Sequence, residues 1–101
     1  MYIRSNKNKG GINMKVIKKD GRLQEFRIRN IILSLERASD EARKSINESD
    51  SENISRMIMS EIRKLAVDKI ESNKLKEIII KCLKELGFTA IAEVYSKGSK
   101  K

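Results

Sequence analysis

The sequence predicts an α+β fold, a small β-hairpin or sheet capping a four-helix bundle. Three observations carry that prediction. Asp20-Gly21 sits inside VIKKDGRLQEF, between two short runs with apolar residues, and Asp-Gly in that setting signals a hairpin. Four later segments repeat apolar residues at helical spacing. Proline is absent, and Leu, Ile, Glu and Lys dominate, a composition that suits helices.

The elements follow in order. Residues 1–13, MYIRSNKNKGGIN, have no helical or strand period and carry three basic residues and no acid. They read as a disordered basic arm. A second reading makes Met14 the natural start, because a purine-rich ribosome-binding sequence gives Lys-Gly-Gly when translated. The hairpin comes next, with a type I′ turn at Asp20-Gly21, since Gly tolerates positive φ. Ile28, Ile31, Ile32, Leu35 and Ala38 share one face of a helix that fades near residues 42–44. The polar stretch SINESDSE then offers Ser49 and Ser51 as caps, with Glu52 completing a capping box from Ser49. The second helix, over residues 52–65, turns Ile54, Ile58, Ile62 and Leu65 inward, with Met57 alongside. Val67 and Ile70 suggest a brief strand beside the hairpin. Ser72 caps the strongest helix, whose stripe is Leu75, Ile78, Ile79, Cys82, Leu83 and Leu86, and Gly87 stops it as the C′ residue. Phe88 packs after the stop. Thr89 caps a short last helix with Ile91, Ala92, Val94 and Tyr95, and residues 98–101 form a frayed basic tail. A two-stranded hairpin is marginal alone, so it must dock on the helices. The domain proper is residues 14–97.

Composition narrows the function. The net charge of +9, from 23 basic and 14 acidic side chains, favours anionic partners: nucleotides, nucleic acid or an anionic membrane. Four bases, Lys15, Lys18, Lys19 and Arg22, crowd the hairpin. With no histidine, the commonest general base and a frequent metal ligand are missing. A single cysteine builds neither a disulfide nor a thiolate zinc site, and Cys82 on an apolar face reads as a buried structural thiol. No P-loop, GxGxxG or GxSxG occurs. The acids pair with Lys or Arg at helical spacing, as Glu77 with Lys81. An enzyme is not expected. No apolar run approaches the roughly 18 residues of a membrane span, and the polar start lacks the h-region of a signal peptide. A cytoplasmic protein is expected.

VIKKDGRLQEF, the Ile-rich helix after it, and ESNKLKEIIIKCLKELGFTAIAEVY together resemble the ATP-cone domain. That module regulates ribonucleotide reductases and serves a bacterial repressor of reductase genes. The matching residues are Lys18-Lys19-Asp20-Gly21-Arg22, Phe26, Ser72, Leu86-Gly87-Phe88, Ala92 and Tyr95. The resemblance implies a hairpin-capped bundle that binds ATP or dATP, with magnesium as a companion, between hairpin and helices. It implies Val16, Lys18, Lys19 and Arg22 on the hairpin side, and Ser72 and Lys76 from the third helix. Three expected contact positions depart from the pattern: the usual Glu is Gln24, the usual Asp or Asn is Arg27, and the usual phosphate-binding Lys is Asn30. One reading is a rearranged site in which Arg27 or Arg29 replaces the lost lysine; the other is an eroded site.

The resemblance implies a non-catalytic regulatory module whose partner is a reductase, a regulator or a second copy of itself. The alternative is a small basic nucleic-acid-binding or transcription-regulating protein. Few aromatics for stacking and alternating charge along the helices count against it. A plain protein-interaction bundle is the third reading.

Overall fold

The computed structural model describes residues 14–97. The expected basic arm and the tail, residues 98–101, lie outside them. Three short strands, β1 (Lys15–Ile17), β2 (Leu23–Glu25) and β3 (Lys69–Glu71), join four helices, α1 (Ile28–Ala42), α2 (Glu48–Leu65), α3 (Ser72–Glu85) and α4 (Thr89–Ser96). The α+β architecture is the one expected from the sequence.

The hairpin forms, with a different turn. Lys18 accepts from the Gly21 N–H at 2.9 Å, and its own N–H donates to the Arg22 carbonyl at 2.8 Å. Among the loop residues only Gly21 has positive φ, at 89°. This is a type I turn over Lys19-Asp20 followed by a left-handed glycine, not type I′. Asp20 fixes it locally. Its carboxylate accepts from the Arg22 N–H at 3.1 Å and from Arg22 Nε at 2.8 Å.

β1 lies in the middle of the sheet. It pairs antiparallel with β2 (Val16 opposite Gln24) and parallel with β3 (Val16 opposite Ile70). Residues opposite one another share a face. Val16 and Ile70 are therefore buried together against the helices, while Gln24, on the edge strand, points the same way but stays exposed. Met14 and Phe26 close the sheet's open end: the Phe26 N–H donates to the Met14 carbonyl at 2.9 Å, and both side chains are buried.

The helices bury the predicted stripes: Ile31, Leu35 and Ala38 of α1, Ile54, Ile58 and Ile62 of α2, Leu75, Ile78, Ile79, Cys82 and Leu83 of α3, and Ile91 and Ala92 of α4. Leu65 and Leu86, at the ends of their stripes, reach the surface. α4 packs between α1 and α3, and α2 packs mainly on α3. Burying each large core side chain contributes about 1.5–3 kcal/mol.

Three helix starts differ from expectation. α2 begins a turn early. Asn47 is its cap, Asp50 returns the bond to the Asn47 N–H, and Ser49 and Ser51 fall inside the helix. Starting there lets Ile46 pack on the core just before the cap. Ser72 is the first residue of α3 and not its cap, because β3 runs directly into the helix and extended Glu71 takes the cap position. Thr89 likewise opens α4, behind Phe88. The stop at Gly87 is as expected. Gly87, at φ 92°, donates to Lys84 O at 3.1 Å and Phe88 donates to Leu83 O at 2.8 Å, the two bonds of a Schellman motif. Lys81 does not pair with Glu77; it bridges to Glu61 of α2 at 3.5 Å.

Candidate nucleotide groove

A groove of about 980 Å³ opens between the hairpin and the helices. Its apolar floor is Val16, Phe26, Ile31, Leu75 and Ile79. The sheet closes one end, α1 forms one long wall, and α3 with α4 forms the other. The volume lies in the range of small-molecule and cofactor sites.

Two helices begin at this groove. Arg27 and Asn30 bring the start of α1 to its edge, and Ser72 and Lys76 bring the start of α3. Neither start has a side-chain cap, and neither has an acid in its first turn. At α1 the Asn30 N–H already donates to the Arg27 carbonyl at 3.1 Å, and the other first-turn N–H groups and positive dipole ends of the two helices are available to an anion. α2, which starts elsewhere, is the opposite case, with a full capping box and Glu48 and Asp50 in its first turn. α4 is also uncapped, but its first residues do not line the groove.

Of the residues expected at the site, Val16, Lys18, Gln24, Arg27, Asn30, Ser72 and Lys76 line this one groove, whereas Lys19 and Arg22 do not. Lys19 projects from the turn. Arg22 is held by Asp20 at 2.8 Å, and the Arg22 N–H and guanidinium keep the Asp20 carboxyl below its ordinary range. Arg29 is likewise outside the lining, and Arg27 is already engaged, its guanidinium donating to Glu25 at 2.9 Å.

The groove also gathers Glu25, Ser34, Arg37, Asp40, Glu41 and Tyr95. Apart from Tyr95, which the resemblance matched as part of the chain's ending, no sequence feature singled these out. Ser34 donates to the Ile31 carbonyl at 2.8 Å, so the Tyr95 hydroxyl, 3.1 Å from Ser34 Oγ, is the donor of their shared bond. That bond ties α4 to α1 at mid-groove, and burial pushes the Tyr95 hydroxyl above its ordinary pKa. A signal for the α1 residues was present: Arg27, Asn30, Ser34, Arg37 and Glu41 recur at helical spacing, a polar stripe beside the buried one.

The family model of the ATP cone domain matches residues 14–100. This chain belongs to the ATP cone domain family. No curated protein matches it significantly. ATP cones are non-catalytic regulatory modules that bind ATP or dATP. Among the described residues no cluster of His, Cys, Asp or Glu is suited to a metal ion, and no helix is long and apolar enough to cross a membrane.

Proposed function

We propose that this ATP cone is a non-catalytic sensor that holds ATP or dATP in the groove between the hairpin, α1 and α3. The observation that carries the reading is the meeting of two helix starts without side-chain caps, neither with an acid in its first turn, with Lys18 and Lys76 at one apolar-floored groove. The helix starts and lysines take the phosphates, with magnesium accompanying them. The floor takes the base. Gln24, on the helix-facing side of the edge strand, offers its amide oxygen to the adenine amine. Phosphate contacts come from Lys18, Lys76 and Ser72, with Lys19 and Arg22 at the rim of the turn. Arg29 lies outside the lining and Arg27 is paired with Glu25, so neither is the stand-in for the lost lysine in this reading.

The module acts in the cytoplasm on a protein partner, a reductase or a regulator, or through self-association, in keeping with the regulatory character of its family. Binding confined to the native state stabilises it by about 2.7 kcal/mol at a hundredfold excess over Kd. The test is the melting temperature with and without millimolar ATP or dATP and magnesium. A rise of several degrees is expected, reduced by Lys18→Ala and by Lys76→Ala. No shift with either nucleotide overturns the proposal. Salt-sensitive DNA binding without a nucleotide response would point to the nucleic-acid alternative.

A further inference from the structure

We propose that Arg37, two turns into α1, is the guanidinium that grips the distal phosphate of the bound nucleotide. It would supply the charge that Asn30 lacks. The inference rests on the nucleotide reading above.

Four cationic residues line the groove: Lys18, Arg27, Arg37 and Lys76. Arg27 is committed to Glu25 at 2.9 Å, so accepting a phosphate there means breaking a charge-assisted bond. Arg29, the other candidate on α1, lies outside the lining. Arg37 lines the groove and, among the described residues, takes part in no ion pair, even with Asp40 and Glu41 close by on its own helix.

Reach decides whether one ligand can touch both regions. Asn30 and Arg37 are seven residues apart, about 10 Å along the axis at 1.5 Å per residue. Helical side chains lean toward the N-terminus. A long Arg37 side chain therefore brings its guanidinium back toward the level of Ser34, roughly one turn from Asn30. A phosphate chain that starts over the α3 N-terminus and runs along α1 meets Arg37 with its last phosphate and not its first. Asp40 and Glu41 lie beyond that point and repel any anion placed deeper, which gives the groove a defined end for the phosphates.

Arg37 is therefore a residue that counts phosphates. Its removal weakens ATP far more than AMP. The experiment is calorimetric titration of the full chain with ATP, ADP, AMP and adenosine, for the wild type, Arg37→Ala, Arg37→Gln and Arg29→Ala. Arg37→Gln keeps most of the stem, so a folding defect in Arg37→Ala does not decide the result. In both Arg37 variants ATP affinity is expected to fall about tenfold, with adenosine and AMP unchanged and the ATP-to-AMP preference shrinking accordingly. Arg29→Ala is expected to match the wild type. If the Arg37 variants keep the wild-type preference, or lose ATP and adenosine equally, the assignment is overturned while the nucleotide reading stands. If the wild type takes up no ATP, the nucleotide reading fails and Arg37 falls with it.

Discussion

Arg43 and Ala66 end α1 and α2 in the left-handed region, at φ 58° and 53°, where glycine is the usual residue. Replacing either by glycine is expected to stabilise the protein. Left-handed backbone costs an ordinary L-residue about 1–2 kcal/mol. Glycine removes that cost but adds about 0.5–1 kcal/mol of conformational entropy to be lost on folding. Both residues are exposed, and among the described residues Arg43 makes no side-chain hydrogen bond or ion pair. The terminating backbone bonds remain, Arg43 N–H to Asp40 O and Ala66 N–H to Arg63 O, each at 3.1 Å. The net gain is about 0.5–1 kcal/mol at Ala66 and smaller at Arg43, where the substitution also removes a cation from the α1 C-terminus. In a domain of this size about 1 kcal/mol moves the melting temperature by about 4–8 °C. Urea titration followed by far-ultraviolet circular dichroism measures it. An unchanged or lower midpoint at constant m-value in Arg43→Gly and Ala66→Gly would refute the reasoning.

Further substitutions probe the core, the thiol and the groove. Ile58→Ala, at a fully buried position of α2, is expected to cost about 2–5 kcal/mol, read from the same urea curves. A loss below about 1 kcal/mol would mean that α2 is not packed as described. Burial, reinforced by Glu61 and Glu85, raises the Cys82 thiol from about 9.0 to about 11. The unfolded thiol ionises first as pH rises, so the folded state is expected to lose stability between those values. A disulfide reagent at pH 8 is expected to label Cys82 only as fast as the protein opens, and rapid labelling of the native protein would contradict its burial. Gln24→Glu with Asn30→Lys restores the family's usual residues beside the groove. ATP affinity is expected to rise about tenfold if the phosphates pass position 30, and an unchanged calorimetric titration would place them elsewhere.

The strands and helices were legible because each rests on a local pattern. The apolar stripes of α1 to α4 and the glycine stop at Gly87 became elements where the pattern put them, while of the weak pair Val67 and Ile70 only Ile70 entered β3 and Val67 stays exposed before it. What failed was choice among equivalent local signals. Asp-Gly fits both a type I′ turn and a type I turn with a left-handed glycine, and Asp20's bonds to Arg22 select the second. SINESDSE contains two overlapping capping boxes, Asn47 with Asp50 and Ser49 with Glu52. Docking Ile46 on the core selects the first. Ser72 looks like a cap in one dimension, yet pairing of Ile70 with Val16 pulls the preceding residue into the cap position.

The groove was legible only on the side that a motif marks. Lys18, Ser72 and Lys76 could be named because the hairpin and the α3 start carry recognisable residues. Ser34 and Tyr95 meet across α1 and α4 although they are 61 residues apart in the chain. No local pattern encodes that meeting. The replacements at positions 24, 27 and 30 look like losses when the motif is read alone. In three dimensions they look different. Arg27 finds Glu25 and leaves the α1 start uncapped. Asn30 leaves space at the groove wall, and Arg37 supplies a guanidinium further along the same wall. Under the proposal for Arg37, charge lost at one turn of a helix is recovered two turns later on the same face by a ligand long enough to span both. A departure from a motif therefore predicts loss of binding only where no neighbouring side chain on that face can reach the same ligand atom.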